Sequence, residues 1–295
     1  MPTDSMKDML IVAKDHKYAI GQFNINNPEF TQAILQAANE EKSPVILGVS
    51  EGAASYMGGF KCTVHMVKEL MEEYKVTVPV AIHLDKGSSF DICIQAIHAG
   101  FTSVMVDASQ YSLQENIKLT KSVVEVAHSV GVSVEAKLGV IGGRENSLCR
   151  GLEFTFATPL ECEQLVHETG VDCLAPALGP VNDLYKGEPN LKFHRMKEIN
   201  ELTDVPLTFY VDTGFPIKDI QKAIFFGSAK MNVNIENQIS SIDAMRSVLI
   251  ERPNEYDPRK FLEHAGEAFK NTVKRKMQEF GSSGRAQLKY KVLYR

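Results

Sequence analysis

Short apolar runs alternate with longer amphipathic ones along the whole chain. Runs rich in Val, Ile or Ala, each followed by a polar residue or glycine, predict strands at 19–25, 44–49, 80–84, 103–106, 133–138, 173–176, 207–210 and 230–234. Between them, apolar residues at helical spacing predict helices at 28–41, 62–74, 90–99, 113–130, 159–168, 191–202, 217–226 and 236–250. Thr158-Pro159 offers a cap followed by a first-turn proline, and Gly100 and Gly227 stand where helices should stop. Strand–helix units repeated eight times over 295 residues predict an α/β protein, a single closed (β/α)8 TIM barrel. An open, doubly wound sheet is the alternative. One domain is expected over 1–295, with 256–283 as an added C-terminal helical tail.

In such a barrel, chemistry sits at the C-terminal ends of the strands and in the loops that follow. Those positions carry Asn24, Ser50, His83, Asp85, Lys86, Asp107, Ser109, Glu135, Lys137, Tyr210, Thr213, Gly214, Asn232 and Asn234. Of eight histidines only His83 falls at a strand end; His16, His65, His98, His128, His167, His194 and His264 fall in helices or the tail. A catalytic metal needs about three ligands converging from different strands. His83 with Asp85 and Glu135 offers such a set, but Lys86 and Lys137 stand among them, and ammonium groups repel a dication. Zinc is therefore disfavoured, and no metal or other cofactor is expected.

The two lysines admit two readings. They pair with Asp85, Glu135 or Asp212 and keep the mouth neutral. Or one is a nucleophile that forms a Schiff base with a carbonyl substrate, whose protonated imine is the electron sink a metal would otherwise supply. Asp85 is the general acid/base candidate, because cleaving a carbon–carbon bond next to a hydroxyl requires removal of that hydroxyl's proton. Asn24, Asn232 and Asn234 are amides suited to a polyol, and Thr213-Gly214 before a helix start is an anion-binding signal.

Composition narrows the class of ligand. Net charge is −5 with both signs mixed throughout, which does not fit a nucleic-acid surface. Five cysteines, an odd number without a C-x-x-C pair, suggest reduced thiols and a cytoplasmic protein. Residues 1–10 lack the apolar centre of a leader, and no stretch reads as a membrane span.

Phe23-Asn24-Ile25-Asn26-Asn27, Ser50-Glu51-Gly52-Ala53, His83-Leu84-Asp85, Val106-Asp107-Ala108-Ser109, Val134-Glu135-Ala136, Tyr185-Lys186-Gly187, Thr213-Gly214 and Asn232-Val233-Asn234 resemble class II fructose-bisphosphate aldolases, in order, from about residue 5 to 283. The resemblance implies a (β/α)8 barrel, usually a dimer or larger, that splits a ketose phosphate with the help of zinc. It also implies that the three zinc histidines have become Lys86, Asn182 and Tyr210, and that a metal-site glutamate has become Lys137. The family's catalytic carboxylate corresponds to Asp85. Thr213 and Asn232 match phosphate contacts, and Arg259 resembles the arginine a neighbouring subunit lends. Asp183 and Asp212 replace glycines that face the phosphate.

The expected function is therefore an aldolase-type lyase acting on a ketose phosphate or similar ketose, with Lys86 or Lys137 as imine former, Asp85 moving the proton and Tyr210 as a second acid. A non-catalytic sugar-phosphate-binding or partner barrel, and a zinc aldolase with a remodelled site, are the alternatives. A homodimer or higher homo-oligomer is expected.

Overall fold

The computed structural model describes residues 3–139, 156–178, 192–211 and 214–288. Eight strands follow one another around a closed barrel: β1 (Ile20–Asn24), β2 (Val45–Val49), β3 (Val80–Gly87), β4 (Ser103–Val106), β5 (Ser133–Leu138), β6 (Cys173–Pro176), β7 (Leu207–Tyr210) and β8 (Ser228–Val233). Every neighbouring pair is parallel, and β8 returns to β1 with Gln22 opposite Asn232, so no sheet edge is left open. The open-sheet alternative is thereby excluded.

The helices are α1 (Met6–Asp15), α2 (Pro28–Glu41), α3 (Glu51–Tyr56), α4 (Phe60–Glu73), α5 (Phe90–Ala99), α6 (Leu113–Ser129), α7 (Pro159–Thr169), α8 (Phe193–Thr203), α9 (Ile217–Phe225), α10 (Ile235–Glu251) and α11 (Pro258–Glu279). Their boundaries follow local chemistry. Thr158 caps α7 in a reciprocal box with Glu161 ahead of Pro159, and Gly100 ends α5 in a left-handed conformation, as the sequence predicts.

The period-two alternation of the strands sorts side chains into two cores. Phe23, Leu47, Ile82, Val104, Val134 and Leu174 point outward and are buried under the helices. Fully burying an aliphatic side chain of this size stabilises by about 1.5–3 kcal/mol. Inside, Ile20, Ile46, Ala81 and Cys173 meet Met6 and Leu10 of α1, which closes the N-terminal end of the barrel. Above that apolar floor the interior turns polar. Gln22 leans over Gly48, where a Cβ would stand 2.6 Å from its Nε2, so the glycine is what lets that layer close.

At the other end of the chain, α11 lies along α10 and α2. Phe30 and Phe269 stack at 4.2 Å between ring centres, and Glu236 holds both Arg275 at 2.6 Å and Lys276 at 2.9 Å. The expected tail is thus one long helix packed on the barrel, capped by Asp257. Two helices, α1 and α3, stand where only connecting chain was expected, and β3 runs past Leu84 to Gly87. Among the described residues no helix is long and apolar enough to cross a membrane.

Candidate active site

Three strands carry the charged residues of the barrel interior. On β3, His83 and Asp85 alternate inward, and the next residue would face the helices in a regular strand. The pairing of β3 with β4 slips between Leu84 and Gly87, and Lys86 takes a left-handed φ of 60°. Such a bulge re-aims one side chain. Lys86 accordingly reaches across to β7, where its Nζ lies 5.8 Å from the centre of the Tyr210 ring.

Asp85 is 6% exposed; its Oδ2 accepts from Asn24 Nδ2 at 2.9 Å, while its Oδ1 has no hydrogen-bond partner among the described residues. On β5, Lys137 is 1% exposed and its Nζ donates to Asp107 Oδ2 at 2.8 Å, with Ser109 Oγ donating to the other Asp107 oxygen at 2.6 Å. Burial works to raise the Asp107 pKa. The charge and hydrogen bond of Lys137, the Ser109 hydroxyl and the charge of Lys86 outweigh it and hold the carboxyl below its usual range.

One layer deeper, Glu135 and Lys230 pair at 2.9 Å with neither exposed, and His83 Nε2 lies 3.4 Å from the same carboxylate. Burial, then the Lys230 charge, keep the His83 pKa well below the ordinary imidazole value, so the ring is neutral at neutral pH. The Tyr210 phenol is pushed the other way. Burial and the nearby Asp85, Glu135 and Asp107 carboxylates raise its pKa well above the usual range, so it keeps its proton.

The structure therefore brings together Asn24, Asp85, Lys86, Lys137, Tyr210 and Asn232, with Ser109 bonded to Asp107 beside them. Glu135, expected to meet substrate, is wholly buried beneath that cluster and serves Lys230 and His83 instead. Ser50 caps α3 by accepting from Ala53 N, and the Asn234 side chain accepts from Gln238 Nε2 at 2.8 Å. Arg259 lies apart, at the first turn of α11, exposed and paired with Asp257 at 2.8 Å. Gly214 takes a left-handed φ of 82°. Asn182, Asp212 and Thr213 lie outside the described residues.

Two site residues were missed in the sequence reading. Asp107 was seen at the mouth but given no role, and Lys230 was read only as a strand start. The signal for Lys230 was a lysine two residues before Asn232 in an otherwise apolar strand, which puts both on the inner face.

Residues 4–285 match the protein family described as fructose-bisphosphate aldolase class-II. The chain belongs to the class II fructose-bisphosphate aldolase family. It is 62% identical over 287 residues to a probable fructose-bisphosphate aldolase of Bacillus subtilis, covering 97% of this chain and 100% of that one. It is 60% identical to a fructose-bisphosphate aldolase of Geobacillus stearothermophilus over 96% of this chain and 98% of the other. Among solved structures it is similar to the YdjI aldolase of Escherichia coli K12, with a TM-score of 0.82, 32% identity, and 97% and 100% of the two chains covered.

This family of aldehyde-lyases is one that uses zinc, and the donor set of the present barrel can be tested for it. Zinc takes thiolate, imidazole or carboxylate ligands. Among the described residues no three such groups converge. His83 and Glu135 are neighbours, but Asp85 belongs to the layer above and is bonded to Asn24, so this expected triad does not form. The positions that the resemblance aligns with zinc histidines on β3 and β7 hold the Lys86 amine and the protonated Tyr210 phenol. These residues do not fit the ion, and no step is derived through it.

Proposed function

We propose that this chain is an aldehyde-lyase that cleaves a ketose phosphate, or a similarly substituted ketose, with the Lys86 amine as electron sink. Family membership supports the reaction class. The observation that carries the mechanism is the end of β3, where a bulge sets an amine beside a carboxylate whose Oδ1 is open. Lys137, paired with Asp107 at 2.8 Å, is the alternative nucleophile.

In this reading Asp85 carries off the Lys86 proton, and the neutral amine adds to the ketose carbonyl. The Tyr210 O–H supplies the proton with which water leaves, Asp85 returns the Lys86 proton to the Tyr210 oxygen, and a protonated imine remains. Asp85 then takes the proton of the hydroxyl on the carbon beyond the breaking bond. The electron pair of that bond moves into the imine, an aldehyde departs and an enamine remains. Reprotonation of the enamine carbon and hydrolysis by water return the ketone and the free amine.

The test is intact mass after incubation with dihydroxyacetone phosphate and borohydride, followed by peptide mapping. The expected result is one reduced adduct on Lys86, absent from Lys86→Met. An adduct on Lys137 transfers the role to that residue. No adduct across a panel of ketose phosphates rejects the imine.

A second reading, a barrel that binds a sugar phosphate without turnover, is supported by the ion pairs of Lys137 and Lys230, which give two of the interior cations structural work. It predicts thermal stabilisation by the ligand with no product formed.

A further inference from the structure

Beneath the mouth runs a chain of buried polar contacts that the imine chemistry does not use. Ser103 Oγ meets His83 Nδ1 at 2.8 Å, His83 Nε2 lies 3.4 Å from Glu135 Oε2, and that oxygen pairs with Lys230 Nζ at 2.9 Å. Lys230 Nζ then donates to Asn232 Oδ1 at 2.8 Å. His83, Glu135 and Lys230 are fully buried and Asn232 is 6% exposed.

Stability does not account for such a chain. The attraction in a buried ion pair roughly offsets the cost of removing both charges from water, and packed apolar residues would serve as well. What a buried ammonium does supply is direction. It has three donors and no acceptor, so only the oxygen end of an amide can face it. The Asn232 nitrogen is thereby turned away from Lys230, which lies two residues earlier on the same strand, and toward the mouth. The Tyr210 hydroxyl stands next to the Asn232 side chain. The nitrogen itself is buried and, apart from that phenol oxygen, has no hydrogen-bond partner among the described residues. Buried donors are rarely left in that state unless something completes them.

We infer that Lys230 is a positioning residue, which by its hydrogen bond to Oδ1 locks Asn232 in the one amide orientation that offers N–H donors to an oxygen of the substrate. Without that bond the amide is free to turn over and present its acceptor, which disfavours a carbonyl, alkoxide or phosphate oxygen. Glu135 neutralises Lys230 and holds it in line, and the neutral His83, tied to Ser103, packs against Glu135. The inference rests on the reading of this mouth as a ketose phosphate site but not on the imine.

The experiment is a double-mutant cycle on the equilibrium binding of dihydroxyacetone phosphate, measured by calorimetry on the full chain, with Lys230→Met, Asn232→Ala and the two combined. Each single variant is expected to weaken binding by about tenfold, the effect of one lost directed hydrogen bond, with the double variant no worse than either. A purely structural lysine would give losses that multiply. If Lys230→Met does not fold because Glu135 is left unpaired, Lys230→Met with Glu135→Gln removes both charges and takes its place. Wild-type affinity in the lysine variant, losses that multiply, or a wild-type chain that binds no dihydroxyacetone phosphate would each overturn the inference. Borohydride trapping on the same samples separates the two ideas, since binding without an adduct rejects the imine and leaves the cycle readable.

Discussion

At the scale of single residues, the site is a set of acids each matched with a cation or an amide. Asp107 shows the consequence most directly. Its lowered pKa means that it contributes stability above the ordinary aspartate value near 3.8, and that this contribution is lost as the pH falls through the lower folded value. Lys137→Met removes the pair and leaves the carboxylate half-buried. The expected loss is on the order of 3 kcal/mol at neutral pH, shrinking toward acid as Asp107 takes up a proton, and Lys137→Met with Asp107→Asn should recover most of it. Urea unfolding at pH 7 and pH 3 checks this; an equal loss at both would mean that packing, not charge, is what Lys137 provides. The clustering of Asp85, Lys86, Lys137, Tyr210 and Asn232 was legible in the sequence, because each stands at or near the C-terminal end of a strand and a barrel gathers its strand ends. Lys230 was not, because its value lies in the direction it imposes on Asn232, and a hydrogen-bond direction leaves no mark in a list of residue types.

At the scale of elements, the strands were legible because each is a short apolar run with a polar end, and the barrel closes around them much as the spacing predicts. What escaped was local. The α3 helix has only six residues, too few to show a helical period, and α1 was read only for a leader although Met6, Met9, Leu10 and Ala13 form one apolar face. The bulge of β3 was beyond reach for a different reason: a register slip depends on the partner strand, β4. Helix ends are more local still. Gly227 follows α9 with a φ of 105°, and a Cβ there would run into the Asn200 side chain of α8. Gly227→Ala should therefore cost about 2 kcal/mol or more, whereas Gly52→Ala, inside α3 with nothing within 4 Å of the added carbon, should be neutral or slightly stabilising. Melting curves of the two variants decide it, and similar midpoints would show that α8 and α9 yield at little cost.

At the scale of the whole molecule, the shared framework and the groups at the mouth are separate matters. The chain keeps 62% identity to a relative named as an aldolase and a TM-score of 0.82 to a solved one, yet ammonium and phenol groups stand where the resemblance puts zinc histidines. Of those positions Lys86 lies on β3 and Tyr210 on β7, and closure of the barrel brings these two together, so the metal preference of the site is a property of the fold and the set jointly. Restoring the set should restore the preference. Lys86→His, Lys137→Glu, Asn182→His and Tyr210→His, made together, are expected to give a chain that binds one zinc per protomer, read by elemental analysis and by titration with a chromogenic chelator. The unaltered chain should hold none in stoichiometric amount, and its turnover should survive the chelator. Purification of the unaltered chain with one tightly held zinc, and loss of its activity on chelation, would show that the lysines move aside for the ion and that the imine reading is wrong. A fourfold variant that folds but binds no zinc would instead mean that the four substituted side chains do not meet at a common centre.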